Sequence, residues 1–220
     1  MLSVENLASI ESEGRRLALT ARREPGRRVP QYPDWVLADL VKHLGTVHGR
    51  TTLIVEQLPT ERISGPRAPE GADPIDWYEE RLEEMLATLR DADPTAPCWG
   101  FWPDSCVGRW ESRMVVETGL HRWDAYQAFG EEDRLTDHVA CTGFDEFADL
   151  WLPFLGEVQP LEVTAWDLGR SWRVGGDEPT AFVEGAASDI FLRLMSRPSP
   201  VELPEDWATA VDGLTPPPKP

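Results

Sequence analysis

The sequence predicts an α+β protein, with a bundle of four or five helices over residues 1–156 and a small α/β domain over residues 157–220 that ends in a Pro-rich tail. Two observations carry this prediction. Apolar residues recur with a period near 3.6 from Val4 to about Leu155, in segments parted by Pro- and Gly-rich stretches. Beyond Gly156–Pro160 the period falls to two in short runs such as Leu161-Glu162-Val163-Thr164-Ala165-Trp166. A chain of 220 residues buries roughly 70% of its unfolded surface, enough for one domain or two small ones.

Taken in order, the first helix is expected from Val4 to about Arg22, with Leu7, Ile10, Leu17 and Leu19 on its apolar side, and the three prolines between Glu24 and Asp34 end it. Asp34 can cap a second helix that begins at Trp35 and runs to about Gln57, with Val36, Leu40, His43, Leu44, Val47, Leu53 and Ile54 inward. Pro59–Pro74 reads as a long surface loop. A third helix is expected from Ile75 to about Ala92, built on Tyr78, Leu82, Met85, Leu86 and Leu89. Asp93–Ser105 breaks helix with Pro94, Pro97, Gly100 and Pro103 yet carries Trp99, Phe101 and Trp102, rings that can wall a pocket or fill a gap between helices.

Val107–Phe129 is the fourth helix, and Thr136 or Asp137 can cap a fifth that reaches about Leu155 with Phe144, Phe147, Trp151 and Phe154 inward. Three strand-like runs follow, at Leu161–Trp166, Trp172–Val174 and Ala181–Glu184. Ala186–Arg197 returns to helix before the tail that starts at Pro198.

Charge excludes one function class. With 21 Lys and Arg against 39 Asp and Glu the net charge is -18, and no basic patch is available to neutralise phosphates, so nucleic-acid binding is not expected. The six arginines between Gly14 and Arg28 read as a solvated helix end and loop. No apolar run approaches the roughly 18 to 20 residues of a membrane span, and Glu5 stands where a secretory leader would be basic and then apolar. A cytoplasmic protein without a membrane partner is therefore expected. Cys98, Cys106 and Cys141 lack CxxC spacing, so neither a disulfide framework nor a thiolate zinc site is indicated.

Chemistry concentrates on the fourth helix. Glu117 and His121 are four residues apart, project from one side of the helix, and fall on a row that is otherwise apolar. His43 on the second helix is the best third donor. Two imidazoles and one carboxylate suit Zn²⁺ or a similar divalent ion and leave a coordination position open. Three ionisable groups placed inward need compensation, which a metal supplies. Asp124, three residues past His121, can accept from a ligating imidazole or pair with Arg122. His48, five residues past His43, is rotated away from it and reads as a pocket-edge or surface residue, and His138 beside Asp137 reads as solvated. Among Arg170, Arg173, Arg193 and Arg197, Arg197 is the candidate for holding an anionic substrate.

Pro33-Asp34-Trp35 with Asp39-Leu40-Val41-Lys42-His43-Leu44 resembles the second-helix motif of the mycothiol-dependent maleylpyruvate isomerase family, within the wider DinB-like group. Arg113-Met114 with Glu117-Thr118-Gly119-Leu120-His121-Arg122-Trp123-Asp124-Ala125 resembles its metal-helix motif, and Thr180–Arg197 resembles its carboxy-terminal domain. The resemblance implies a DinB-like bundle that binds a divalent metal, usually zinc, through His43, Glu117 and His121. It also implies mycothiol as the thiol cosubstrate and a small-molecule substrate, with Asp124 and Arg197 as candidate catalytic residues. One departure stands out: many relatives have a histidine just before the motif's glutamate, where this chain has Val116. A neighbour on a helix points about 100° away, so the ligand set is expected to survive. The implied activity is isomerase or S-transferase. A hydrolase that uses metal-activated water and a non-catalytic binding protein on the same fold are the competing readings.

Overall fold

Helix α1 (Val4–Arg23) opens a computed structural model that describes residues 3–214. Ser3 caps it by accepting from the Asn6 N–H, and Ile10, Leu17, Ala18 and Ala21 are its buried apolar residues, while Leu19 is 65% exposed and lies off the inward stripe. The stretch read as a loop folds into a hairpin of β1 (Arg28–Val29) and β2 (Tyr32–Val36), antiparallel, with Val29 opposite Tyr32. Trp35 is thus a strand residue. Helix α2 (Leu37–Gln57) begins two residues later, and the carboxylate of Asp39, not Asp34, reaches back 3.0 Å to the Val36 N–H at its start. Helix α3 (Pro74–Arg90) is capped by Asp73, which accepts from the N–H groups of Ile75 and Asp76, with Pro74 in the first helical position. Helix α4 (Val107–Gln127) completes this part.

The four helices pack as a ring in which α1 touches α3 and α4, and α2 touches α3 and α4. Tyr78, Leu82, Met85, Leu40, Leu44, Trp110, Met114 and Val115 fill it, each at most 1% exposed. Each such side chain contributes about 1.5–3 kcal/mol by leaving water. One charge is carried inside: Arg122 is fully buried and donates to Glu13, itself buried, and pairs with Asp133. The run of arginines on α1 lies partly against acids, with Arg15 on Glu11 and Glu83 and Arg22 on Asp76 and Glu79.

The chain divides into two compact units at Asp133/Arg134, ahead of the boundary expected at Gly156. Helix α5 (Asp137–Leu150), capped by Thr136, goes with the second unit. The reason is its apolar face. Phe144 sits 4.4 Å from the Trp172 ring and 5.4 Å from the Phe191 ring, and Gly143 lets Phe191 approach so closely that a Cβ there would meet the ring at 2.2 Å. The helix stops before Leu155: Pro153 converts Leu152–Phe154 to a 3-10 turn, and Phe154 is 67% exposed.

Strands β3 (Leu161–Ala165), β4 (Arg170–Val174) and β5 (Ala181–Gly185) form a sheet of order β4-β3-β5, antiparallel between β3 and β4 and parallel between β3 and β5. Leu161, Val163, Trp172, Val174, Ala181 and Val183 are its buried residues. Helix α6 (Ala187–Leu194) packs on β3, β5 and α5. The tail read as Pro-rich coil contains a further helix, α7 (Glu205–Asp212), held by fully buried Trp207, whose Nε1 donates to the Gln159 carbonyl. Among the described residues no helix is long and apolar enough to cross a membrane.

Candidate metal centre

Helices α2 and α4 run antiparallel, and side-chain contacts set their register. Thr51 Oγ1 lies 3.3 Å from the Met114 sulfur, His48 Nε2 3.1 Å from Thr118 Oγ1, and His43 Nε2 3.3 Å from Glu117 Oε1. His121, one turn after Glu117, places its Nε2 3.5 Å from the same Oε1. One donor atom from each of His43, Glu117 and His121 lies within 4.8 Å of the other two. Around a tetrahedral ion with bonds of about 2.0–2.1 Å, donors sit about 3.3–3.4 Å apart, so both carboxylate-to-imidazole distances fit such an ion. Exposure is low: 17% for the His43 side chain, 12% for Glu117 and 5% for His121.

The surrounding residues fix these donors. Asp124, fully buried, places Oδ2 3.0 Å from His121 Nδ1. An ionised carboxylate only accepts, so Nδ1 carries a proton and Nε2 is the atom turned to Glu117. Arg122, next along the helix, pairs with Glu13 and Asp133. Arg113, one turn before Glu117, pairs with Oε2 and leaves Oε1 to the two histidines.

The charges follow. Burial by itself would raise the Glu117 carboxyl, but the Arg113 charge and the hydrogen bonds of His121 and His43 outweigh it and hold the group well below the usual carboxylate range. Burial lowers the His43 imidazole, and the Glu117 hydrogen bond offsets this only in part. At His121 burial also lowers, yet the hydrogen bonds to Asp124 and Glu117 prevail and raise it.

The hairpin supplies a wall that sequence reasoning missed. Tyr32 stacks on Trp35 with centroids 4.7 Å apart, Trp35 lies 5.2 Å from the His43 ring, and Tyr32 lies 5.9 Å from His121. Both aromatic residues are buried. The aromatic loop after α3 packs on α4: Trp110 Nε1 donates to the Trp99 carbonyl at 2.7 Å, and Trp99, Phe101 and Trp102 ring the Trp110 indole. His48, expected at a pocket edge or the surface, is fully buried between Thr118 and the ring of Tyr78. His138 is half-buried at the start of α5. Arg197 belongs to the second unit, where it follows α6 and donates to the Met195 carbonyl. Arg170, Arg173 and Arg193 pair there with Asp145, Glu162 and Asp212.

Two crystal structures of mycothiol-dependent maleylpyruvate isomerase, one of them a His-to-Ala mutant, resemble this chain with a TM-score of 0.67 and 13% sequence identity, over 91% of this chain and 94% of theirs. At that identity the likeness is one of fold. No curated protein is matched. The model of the family described as the mycothiol maleylpyruvate isomerase N-terminal domain matches residues 7–126, a stretch that holds His43, Glu117, His121 and Asp124. That match spans more than half of the 220 residues, and the chain belongs to this family.

Proposed function

We propose that this chain is a metal- and thiol-dependent isomerase or S-transferase that acts on a small electrophilic substrate, with mycothiol as the thiol and zinc held by His43, Glu117 and His121. The carrying observation is the convergence of two imidazole nitrogens on one carboxylate oxygen at 3.3 and 3.5 Å, in a family whose description names mycothiol. The donor set fits a divalent cation, since two nitrogens and one oxygen of borderline hardness leave a position open. A cation there would supply the Lewis acidity that brings a thiol to thiolate near neutral pH.

The chain's own residues prepare that chemistry. Arg113 keeps Glu117 ionised and orients it. Asp124 holds His121 in the tautomer that presents Nε2. Tyr32 and Trp35 keep water from the imidazoles on the hairpin side, which strengthens every charge interaction within. Isomerisation about a double bond needs that bond to be single long enough to rotate, and addition and loss of a thiol achieves this; an adduct that is retained is S-transfer.

The test begins with metal analysis of purified protein. About one equivalent is expected in the unaltered chain, and near none in His43→Ala and Glu117→Ala. Calorimetric titration with mycothiol and with glutathione then follows, on metal-loaded and metal-stripped protein. Binding of mycothiol that requires the metal is the expected result. An unaltered protein that carries no metal removes the proposal at its root, and metal without thiol binding turns it toward hydrolysis.

A further inference from the structure

The two histidines of the centre are held by different means. His121 has the Asp124 carboxylate behind it, 3.0 Å from Nδ1. Among the described residues His43 makes one hydrogen bond, between Nε2 and Glu117, and its Nδ1 has no partner on the chain. An imidazole tied at one atom can still turn about its Cβ–Cγ bond, a torsion that is broad and roughly two-fold. A half-turn would take Nε2 away from Glu117 and put a ring carbon in its place.

What surrounds the His43 ring is aromatic. Trp35 lies against it with 5.2 Å between centroids and 51° between planes, and His121 meets it edge-on at 5.2 Å and 84°. Tyr32 backs the indole at 4.7 Å and 25°, and its own ring is 5.9 Å from His121. The four rings thus close a circuit, and two of them carry the nitrogen donors. Trp35 is 3% exposed, and its indole N–H makes no hydrogen bond among the described residues, so what it offers is the ring itself.

The strand that carries the indole is fastened on both sides. Val29 pairs with Tyr32 and Arg28 with Val36, and the Arg28 guanidinium donates to the Pro33 carbonyl at 2.9 Å. The Leu37 and Ala38 N–H groups donate to the carbonyls of Arg27 and Pro25 at 2.9 and 2.8 Å. Asp39, which accepts from the Val36 N–H at 3.0 Å, precedes His43 by four residues and lies on the same side of α2. The corner between β2 and α2 is therefore tied one turn before His43, and the tie fixes where Trp35 meets the imidazole.

We propose that Trp35 is the positioning residue of His43: its ring blocks the half-turn of the imidazole and keeps Nε2 on Glu117, the part that Asp124 plays for His121 through a hydrogen bond. The centre is asymmetric, with one donor fixed by charge and the other by packing. An imidazole that gives its lone pair to a cation takes on part of the positive charge, and an indole face within about 6 Å attracts such a ring more than a neutral one. The inference concerns the centre of the proposed function, but it describes the metal-free chain as well, so the two can fail separately.

The experiment is carbon-13 relaxation-dispersion NMR of the imidazole rings in metal-free, full-length protein, which reads exchange on the microsecond to millisecond scale. Unaltered protein, Trp35→Leu and Trp35→Phe are compared, with signals assigned through His43→Gln and His121→Gln. Both imidazoles are expected to hold one conformer in the unaltered chain. In Trp35→Leu His43 alone is expected to exchange while His121 stays still, and Trp35→Phe, which restores a ring, is expected to quiet His43 again. Zn²⁺ affinity, read by chelator competition, is expected to fall at least about tenfold in Trp35→Leu and to stay within about threefold in Trp35→Phe. The proposal is overturned by a His43 ring as still in Trp35→Leu as in unaltered protein, by equal loosening of both histidines, or by Zn²⁺ affinity in Trp35→Leu within about twofold of the unaltered value. Should Trp35→Leu not fold, Tyr32→Leu, which uncovers the other side of the indole, is read in its place with the same expectations. Unaltered protein that binds no Zn²⁺ removes the metal reading, and the metal-free ring signals then decide the role of Trp35 by themselves.

Discussion

Asp124 decides what His121 can do. Its carboxylate is fully buried 3.0 Å from Nδ1, so the imidazole is oriented and its tautomer chosen before any ligand arrives. Asp124→Asn keeps the size but replaces an obligatory acceptor with a group that can also donate. Metal affinity is expected to fall roughly 10–100-fold, measured by chelator competition, with the fold intact by thermal melt. Nitrogen-15 chemical shifts of the His121 ring, read in metal-free protein, should show a mixed tautomer in the variant. A variant with unchanged affinity and an unchanged ring spectrum would reduce Asp124 to packing.

At this scale much was legible, because Glu117 and His121 share a helical face and His43 falls on an apolar stripe, patterns that one chain displays by itself. Arg113, at the same four-residue spacing, was equally visible as a partner for Glu117. His48 was misjudged for a physical reason. Five residues carry it about 140° around α2 from His43. A helix with one buried face would expose such a residue, but α2 is packed by α3 on one side and α4 on another, and Tyr78 of the first and Thr118 of the second bury it together.

Helix α2 shows how one element serves several neighbours. His43 and Arg50 look toward α4, while Gly45 receives Trp77 of α3 so closely that a Cβ would meet the ring at 2.3 Å. Neither atom set can yield freely, since Trp77 is 6% exposed. Gly45→Ala is expected to destabilise the protein by about 1–3 kcal/mol despite its better helix propensity. Gly26→Ala, with nothing within 4 Å of its Cβ, is the control and should move the denaturation midpoint little. Equal midpoints for the two variants would mean that the helices separate without strain.

The helices themselves followed from their 3.6 period, but three elements did not. The β1–β2 hairpin lies among Pro30 and Pro33 and is too short for alternation to register, though it brings Tyr32 and Trp35 to the histidines. Helix α7 spans only Glu205–Asp212 within a Pro-rich tail, and two buried residues, Trp207 and Val211, secure it. Helix α5 has the same period as the bundle helices, and a period does not name the surface that will cover it; Gly143 and Phe144 meet Phe191 and Trp172 of the second unit.

For the whole molecule, acid brings two opposing effects. A net charge of -18 makes the folded chain repel itself, and protonation of carboxylates relieves that repulsion as pH falls. Against this stands His48, which burial, only partly offset by the Glu117 charge, holds down to about 3 from an ordinary 6.5. Below pH 6.5 the unfolded chain takes up a proton that the folded chain refuses until about pH 3. The unfolded state then binds more protons, so the His48 contribution to stability falls as pH falls across that window, by about 1.4 kcal/mol per unit. His48→Gln can still donate to Thr118 Oγ1 but does not titrate. Denaturant midpoints of metal-free protein at pH 7, 6, 5 and 4, at constant ionic strength, should therefore drop more steeply for the unaltered chain than for the variant. The carboxylates are common to both proteins, so their effect cancels in the difference. Parallel curves would show that His48 takes its proton without unfolding the bundle, and that the space between Thr118 and Tyr78 admits water.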